Sequence, residues 1–261
     1  MLLLYNKVIV ITGASSGIGA LLAKEAAKQG ATTIVTGRNE ARLKQIVAEL
    51  GGQGAYFVMD VNDAHGIQHI FNEIVHTYGR IDILVNNAGY GLFSTIDELS
   101  LEQYEKMMDT NYMGTVRCTK LALPYMKESG GGHIVNIASL AGMIGSAKST
   151  SYSATKHAVL GFTNSLRMEL RAQKLPIAVS AVNPGPIRTP FFQKADPDGT
   201  YANNINWLMM EPEYVVKKII KLLHTKKAEL NLPYMAGLGL KLYGLCPRVI
   251  DTLAGGWLNK K

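Results

Sequence analysis

Cysteine is nearly absent: the 261 residues hold two, Cys118 and Cys246. They are distant and outside any metal-ligand spacing, which gives no support to a disulfide framework and fits a reducing compartment. Long apolar runs are also missing, since no stretch approaches the roughly twenty residues that span a bilayer. The opening segment Met1 to Lys7 is too short for a signal-peptide apolar region and runs into the first strand, so a cytoplasmic location is expected. No linker, internal repeat or low-complexity tract interrupts the chain. Acidic residues are in deficit, 20 against 27 Lys and Arg, for a net charge of +7. The surplus is scattered and no nucleic-acid motif accompanies it, so nucleic acid is not an expected partner. Part of it, Lys217, Lys218, Lys221, Lys226 and Lys227, reads as a solvated helix face and the turn after it. His65, His69 and His76 fall roughly on one helical face, but no carboxylate or cysteine pattern completes a site, and no metal is expected.

What is present is a repeated alternation of strand-like and helix-like segments. Strands are expected at 7–12, 32–36, 55–58, 83–86, 133–137, 177–182 and 229–232, with helices between them. One helix should begin at the capping box Ser100-Leu101-Glu102-Gln103, and another near Pro212, whose missing N–H costs nothing in a first turn. The expected fold is a single α/β domain over 1–261, a Rossmann-type doubly wound domain whose seven-stranded parallel sheet is flanked by helices on both faces.

Two segments carry chemistry. In Tyr152-Ser153-Ala154-Thr155-Lys156 the Tyr and Lys stand one helical turn apart on one face. An ammonium beside a phenol favours the phenolate and should lower the tyrosine from its ordinary value of about 10, making it a better acid at neutral pH. Ser139 would offer a hydroxyl to a substrate oxygen. Near the start, the apolar run from Val8 breaks into Gly13, Ser15, Ser16, Gly17, Ile18 and Gly19, then an alanine-rich segment, a strand, turn and helix start whose free N–H groups suit a pyrophosphate. The spacing is Gly-x-x-x-Gly-x-Gly rather than the Gly-x-Gly-x-x-Gly dinucleotide fingerprint.

With Thr12 to Gly19, Asn86-Asn87-Ala88-Gly89, Ser139, Tyr152 with Lys156, and Pro184-Gly185 all present in order, the sequence resembles the short-chain dehydrogenases/reductases. The resemblance implies a catalytic tetrad at Asn111, Ser139, Tyr152 and Lys156. In it Tyr152 is the general acid or base, Ser139 polarises the carbonyl, Lys156 holds the nicotinamide ribose and tunes Tyr152, and Asn111 positions a water in a proton relay. A polar residue satisfying helix backbone at a kink is the other reading of Asn111. The resemblance further implies cofactor contacts at Asp60 and Val61, at Asn87, Ala88 and Gly89, and at Pro184, Gly185, Ile187 and Thr189. It also implies a homodimer or homotetramer formed through the helices after Ser100 and around Tyr152 to Arg171.

The second strand ends in Gly37-Arg38-Asn39. An acidic side chain at the first position would bind the adenosine ribose hydroxyls, whereas a nearby arginine accommodates a 2′-phosphate. Gly37 and Arg38 therefore favour NADP(H) over NAD(H), although Arg38 also reads as a solvated charge before the next helix. A mobile substrate lid is expected at about 190–211, where Phe191, Phe192, Trp207, Met209 and Met210 suit an apolar carbonyl or alcohol substrate or simply close a loop. The apolar, glycine-containing tail from about 234 to 261 needs burial over the substrate site, in a subunit interface or, through peripheral contact, at a membrane surface where Lys241, Arg248, Lys260 and Lys261 would meet headgroups. The expected function is NADP(H)-dependent interconversion of a carbonyl and a secondary alcohol. An NAD-dependent alcohol or hydroxysteroid-type dehydrogenase and a non-catalytic NADP(H)-binding sensor are the alternatives.

Overall fold

A computed structural model describes residues 4–196 and 199–243. Cys246, Arg248, Lys260 and Lys261, and the tail beyond 243, lie outside the described residues. So does the side chain of Lys241.

Seven strands form one parallel sheet: β1 (Val8–Ile11), β2 (Thr32–Gly37), β3 (Gly54–Val58), β4 (Ile83–Asn86), β5 (Gly132–Ile137), β6 (Ile177–Pro184) and β7 (Glu229–Leu232). Their order across the sheet is β3-β2-β1-β4-β5-β6-β7. Parallel strands covered on both faces read as continuous β-branched runs, and β1 is Val-Ile-Val-Ile with all four residues buried. Successive side chains still point to opposite faces. Ile9 and Ile11 join the core beneath α1 (Gly17–Lys28), α2 (Glu40–Ala48) and α9 (Pro212–Thr225). Val8 and Val10 join the core beneath α3 (Ala64–Tyr78), α5 (Gly114–Glu128) and α6 (Thr150–Ala172).

The remaining helices frame one end of the sheet: α4 (Leu101–Met108), the short lid helices α7 (Phe191–Ala195) and α8 (Thr200–Ile205), and α10 (Tyr234–Tyr243). The expected capping box starts α4, where Ser100 Oγ accepts from Gln103 N at 3.3 Å and Gln103 Oε1 accepts from Ser100 N at 2.8 Å. Pro212 sits in the first turn of α9. Between α4 and α5 the chain makes a π-helical turn, Asp109–Met113, that carries Asn111.

Connections run outward in both directions from β1 and β4, so the helices that follow these two strands diverge to opposite faces and leave a crevice at the strands' C-terminal ends. Such a switch point is where open α/β sheets bind ligands.

Candidate active site

A cavity of about 2100 Å³ occupies that crevice. One end is the β1–α1 turn. Gly13 holds φ at +64°, and a Cβ there would lie 2.7 Å from the Ala88 Cα. Gly17 holds φ at +57° and faces Thr189. At Gly19 a Cβ would meet Asn87 Nδ2 at 2.6 Å and Gly13 O at 2.9 Å, so the third glycine lets α1 approach the strand ends. Thr12 Oγ1 accepts from the backbone N–H of Asn87 and of Ala88, each at 3.0 Å, and Asn87 Nδ2 donates to Thr12 O. These bonds lock the two glycine-containing loops together. The cradle therefore fits a dinucleotide phosphate, because side chains are excluded where the ligand backbone must come close.

Past this turn, the cavity wall includes Ser15, Ser16, Ile18, Arg38, Asn39, Asp60 and Val61. Gly37 leaves no carboxylate at the end of β2. Arg38 is 75% exposed, and its Nη1 is 3.9 Å from Asp60 Oδ2, a loose pair that a stronger anion can displace. Asn39 is occupied as the N-cap of α2, its Oδ1 accepting from Arg42 N at 3.0 Å. Arg42 lines the same wall as a second cation. Val61 is fixed by Gly114, where a Cβ would come within 2.7 Å of its side chain.

The other end holds Ser139, Tyr152 and Lys156. Ser139 follows β5, where its Oγ accepts from Ala141 N at 3.1 Å and donates to Pro184 O at 3.2 Å. Tyr152 and Lys156 lie on α6, and Lys156 Nζ sits 5.7 Å from the Tyr152 ring centroid while donating to Ile137 O at 2.8 Å. The expected depression of Tyr152 does not occur. Burial pushes its phenol up to about 12, against the opposing hydrogen bond with Ser139. Burial likewise pushes Lys156 down to about 8. Desolvation disfavours both charged forms, and it is the largest cause of each shift.

Asn111 is 1% exposed and fully engaged. Its Oδ1 accepts from Tyr90 N at 2.9 Å, and its Nδ2 donates to Tyr90 O at 2.8 Å and to Thr155 Oγ1 at 3.0 Å. Its carbonyl accepts from Thr115 Oγ1 at 2.9 Å. It thus ties the loop after β4 to α6, and Gly89 fits between Asn111 Oδ1 and Lys156.

Pro184, Gly185, Ile187 and Thr189 form the wall between the two ends, and Gly185 N donates to Leu232 O at 2.7 Å. An isolated parallel bridge, Ile187 with Met210, pins both ends of the lid. Within the lid, Phe191 and Phe192 join Phe93 and Tyr201 in an aromatic group that reaches Tyr152. Phe93 stacks on Tyr201 with centroids 4.2 Å apart, and Phe191 lies 5.7 Å from the Tyr152 ring. Phe93 was missed because the loop after Gly89 bears no motif. Its neighbour Gly91 was missed as well, although a Cβ there would lie 2.9 Å from the Phe191 ring. In the described part of the tail, Pro233, Ala236 and Gly239 line this end of the cavity, while Tyr234 and Met235 are exposed.

A phosphate-cradling turn and a Ser-Tyr-Lys group with a buried lysine, at the switch point of a doubly wound sheet, define a nucleotide-dependent oxidoreductase. The family model described as short chain dehydrogenase matches residues 7–199, and the chain belongs to that family. It is similar to an uncharacterized oxidoreductase of Staphylococcus epidermidis, 37% identical over 73% of this chain and 82% of the other. It is also similar to an uncharacterized oxidoreductase of Bacillus subtilis, 33% identical over 96% and 72%. A 3beta-hydroxysteroid dehydrogenase of Mediterraneibacter gnavus is 37% identical over 74% and 70%. Among solved structures, a short-chain dehydrogenase from Streptomyces avermitilis superposes with a TM-score of 0.81 at 28% identity, covering 96% of each chain. The protein is therefore an oxidoreductase of a family that uses NAD(P)(H). Among the described residues no helix is long and apolar enough to cross a membrane.

Proposed function

We propose that the protein interconverts a carbonyl and a secondary alcohol of an apolar compound with NADP(H), using Tyr152 as the proton donor or acceptor. The observation that carries this reading is the joining of two chemistries in one cavity: Ser139, Tyr152 and Lys156 at one end, and the glycine turn with Arg38 at the other. When bound, the nicotinamide supplies or takes the hydride. The chain's own residues do the rest. Tyr152 stays a phenol at neutral pH and gives its proton to the carbonyl oxygen, the Ser139 hydroxyl turns from Pro184 O to donate to that oxygen, and the Lys156 cation stabilises negative charge developing on it. Asn111 acts as a positioning residue, holding α6 and the Tyr90 loop in register. The aromatic group around Phe93 supports an apolar substrate by excluding water from the Tyr152 hydroxyl.

NADP(H) is supported by Gly37, which cannot repel a 2′-phosphate, and by Arg38 and Arg42 on the same wall. Asp60 is the counterweight, and the name of the hydroxysteroid dehydrogenase relative keeps an NAD-linked, alcohol-oxidising reading as the second choice. A homodimer or homotetramer is supported by apolar side chains left exposed on the relevant helices, Leu101 on α4 and Met168 on α6. A cytoplasmic location belongs to the same proposal. The test is fluorescence titration with NADPH and NADH on the protein and on Arg38→Glu. NADPH should bind at least about tenfold more tightly, an advantage the variant loses with the charge pairing. Equal or tighter NADH binding by the unaltered protein sinks the NADP(H) reading.

A further inference from the structure

On the far side of the molecule from this cavity, where α6 and α9 end and β6 begins, lies an open cleft of about 370 Å³. Four cationic side chains line it: Arg167, Arg171, Lys174 and Lys226. None of the four is paired with a carboxylate among the described residues. The sequence places the first two one helical turn apart on α6, and Lys174 follows in a left-handed residue, φ +54°, just past that helix. Lys226 caps α9, also left-handed at φ +51°. The ordinary role of cations at helix C-termini is to offset the dipole, but two helix ends carry only about one negative charge between them, leaving most of the four positive charges unanswered. A second observation separates this cleft from a solvated basic face: Arg167 Nη2 donates to Asn164 Oδ1 at 2.7 Å, so one guanidinium is already held in the cleft wall, while Arg171, Lys174 and Lys226 are exposed around it.

We propose that this cleft binds a phosphoryl group, with Arg167 and Arg171 as its planar donors and Lys174 and Lys226 as point charges. Guanidinium forks match phosphate oxygens two at a time, and lysines add charge without fixing orientation. The group is either a free phosphate-bearing small molecule or the headgroup of an anionic lipid, and the two sources are separable by experiment.

The test uses the full chain and two double variants, Arg171→Gln/Lys174→Gln in the cleft and Lys217→Gln/Lys221→Gln on the exposed face of α9 as a charge-matched control. All six residue positions that remain or change here lie outside the cavity that holds Tyr152. Melting is followed in sodium phosphate against sodium chloride of equal ionic strength, and sedimentation with vesicles of phosphatidylcholine alone or with phosphatidic acid. At about ten times the dissociation constant, phosphate should raise the Tm by about 3–5 °C. The control should keep that rise, and the cleft variant should lose most of it. Phosphate bound at the glycine turn contributes equally to all three proteins and cancels. A rise in phosphate assigns a free ligand, and acidic-vesicle binding without it assigns a headgroup, provided the cleft variant loses the effect in either case. The proposal is overturned if neither probe acts, or if the cleft variant responds like the control.

Discussion

Lys156 is charged at neutral pH only because its lowered value still lies above 7, and that narrow margin governs how the site should respond to pH. Burial sets it at about 8 and Tyr152 at about 12. As pH rises, the ammonium is lost long before the phenol. Carbonyl reduction with NADPH should therefore be level up to about pH 8 and then fall, approaching tenfold per unit, while Tyr152 remains a competent acid. Whatever activity Lys156→Arg retains should show no fall between pH 8 and 10, because a guanidinium stays charged there. The same decline in both proteins would remove Lys156 from the profile. Linkage gives a companion expectation for stability. A base with a lowered folded value burdens the fold below that value, and the burden disappears as pH rises through its ordinary 10.5. Lys156→Met should then stabilise the ligand-free protein by about 2 kcal/mol at pH 7, allowing for the lost bond to Ile137 O, and should destabilise it by about 1 kcal/mol above about pH 10.5, where only that lost bond remains. Urea denaturation at the two pH values reads this directly.

The β1–α1 turn is the element whose sequence most completely dictated its geometry. Gly13 sits at a φ that alanine tolerates poorly, and the Cβ it lacks would strike the Ala88 backbone, which cannot move without breaking the Thr12 bonds. Gly13→Ala should cost about 3 kcal/mol in a denaturant titration and weaken NADPH binding more than tenfold. A wild-type melting curve with unchanged binding would mean the loops rearrange freely. Strands were legible for a similar local reason: doubly buried parallel strands are largely apolar, and β-branched runs such as Val-Ile-Val-Ile in β1 stand out between more polar segments. The capping box at Ser100 and the proline at 212 were equally local. The π-helical turn at Asn111 was not, because its extra residue is stabilised by Thr115, Tyr90 and Thr155 rather than by its own sequence. Nor was the aromatic group, whose members at 93, 152, 191, 192 and 201 are contributed by four separate segments and meet only when the lid folds back. The sign of the Tyr152 shift was missed for a related reason: adjacency on a helix is visible in sequence, but desolvation by the folded surroundings is not.

At the scale of the whole molecule, the sheet interior contains one titratable group whose neutrality holds the fold together. His133 on β5 is 1% exposed, with its Nε2 2.7 Å from Ser180 Oγ on β6. Ser180 Oγ donates to Lys227 O at 2.6 Å, so it must accept from the imidazole, which fixes the Nε2–H tautomer and leaves Nδ1 bare. Protonation would add a charge inside the sheet that the backbone of Leu223 answers only in part. Burial, assisted by the positive charge of Lys226, accordingly pushes His133 down to about 4. An unfolded histidine titrates at about 6.5, so between these values the unfolded chain binds more protons and stability rises with pH. Acidification from 6.5 to 4 should thus cost about 3 kcal/mol through this residue, with no further loss below. His133→Gln keeps an N–H for Ser180 but cannot titrate. Carboxylates elsewhere contribute alike to both proteins, so the difference between their unfolding free energies isolates the imidazole. The gap between wild type and variant should narrow by about 2 kcal/mol or more between pH 7 and pH 4.5, and a gap independent of pH would show that His133 protonates without disturbing the strand pair.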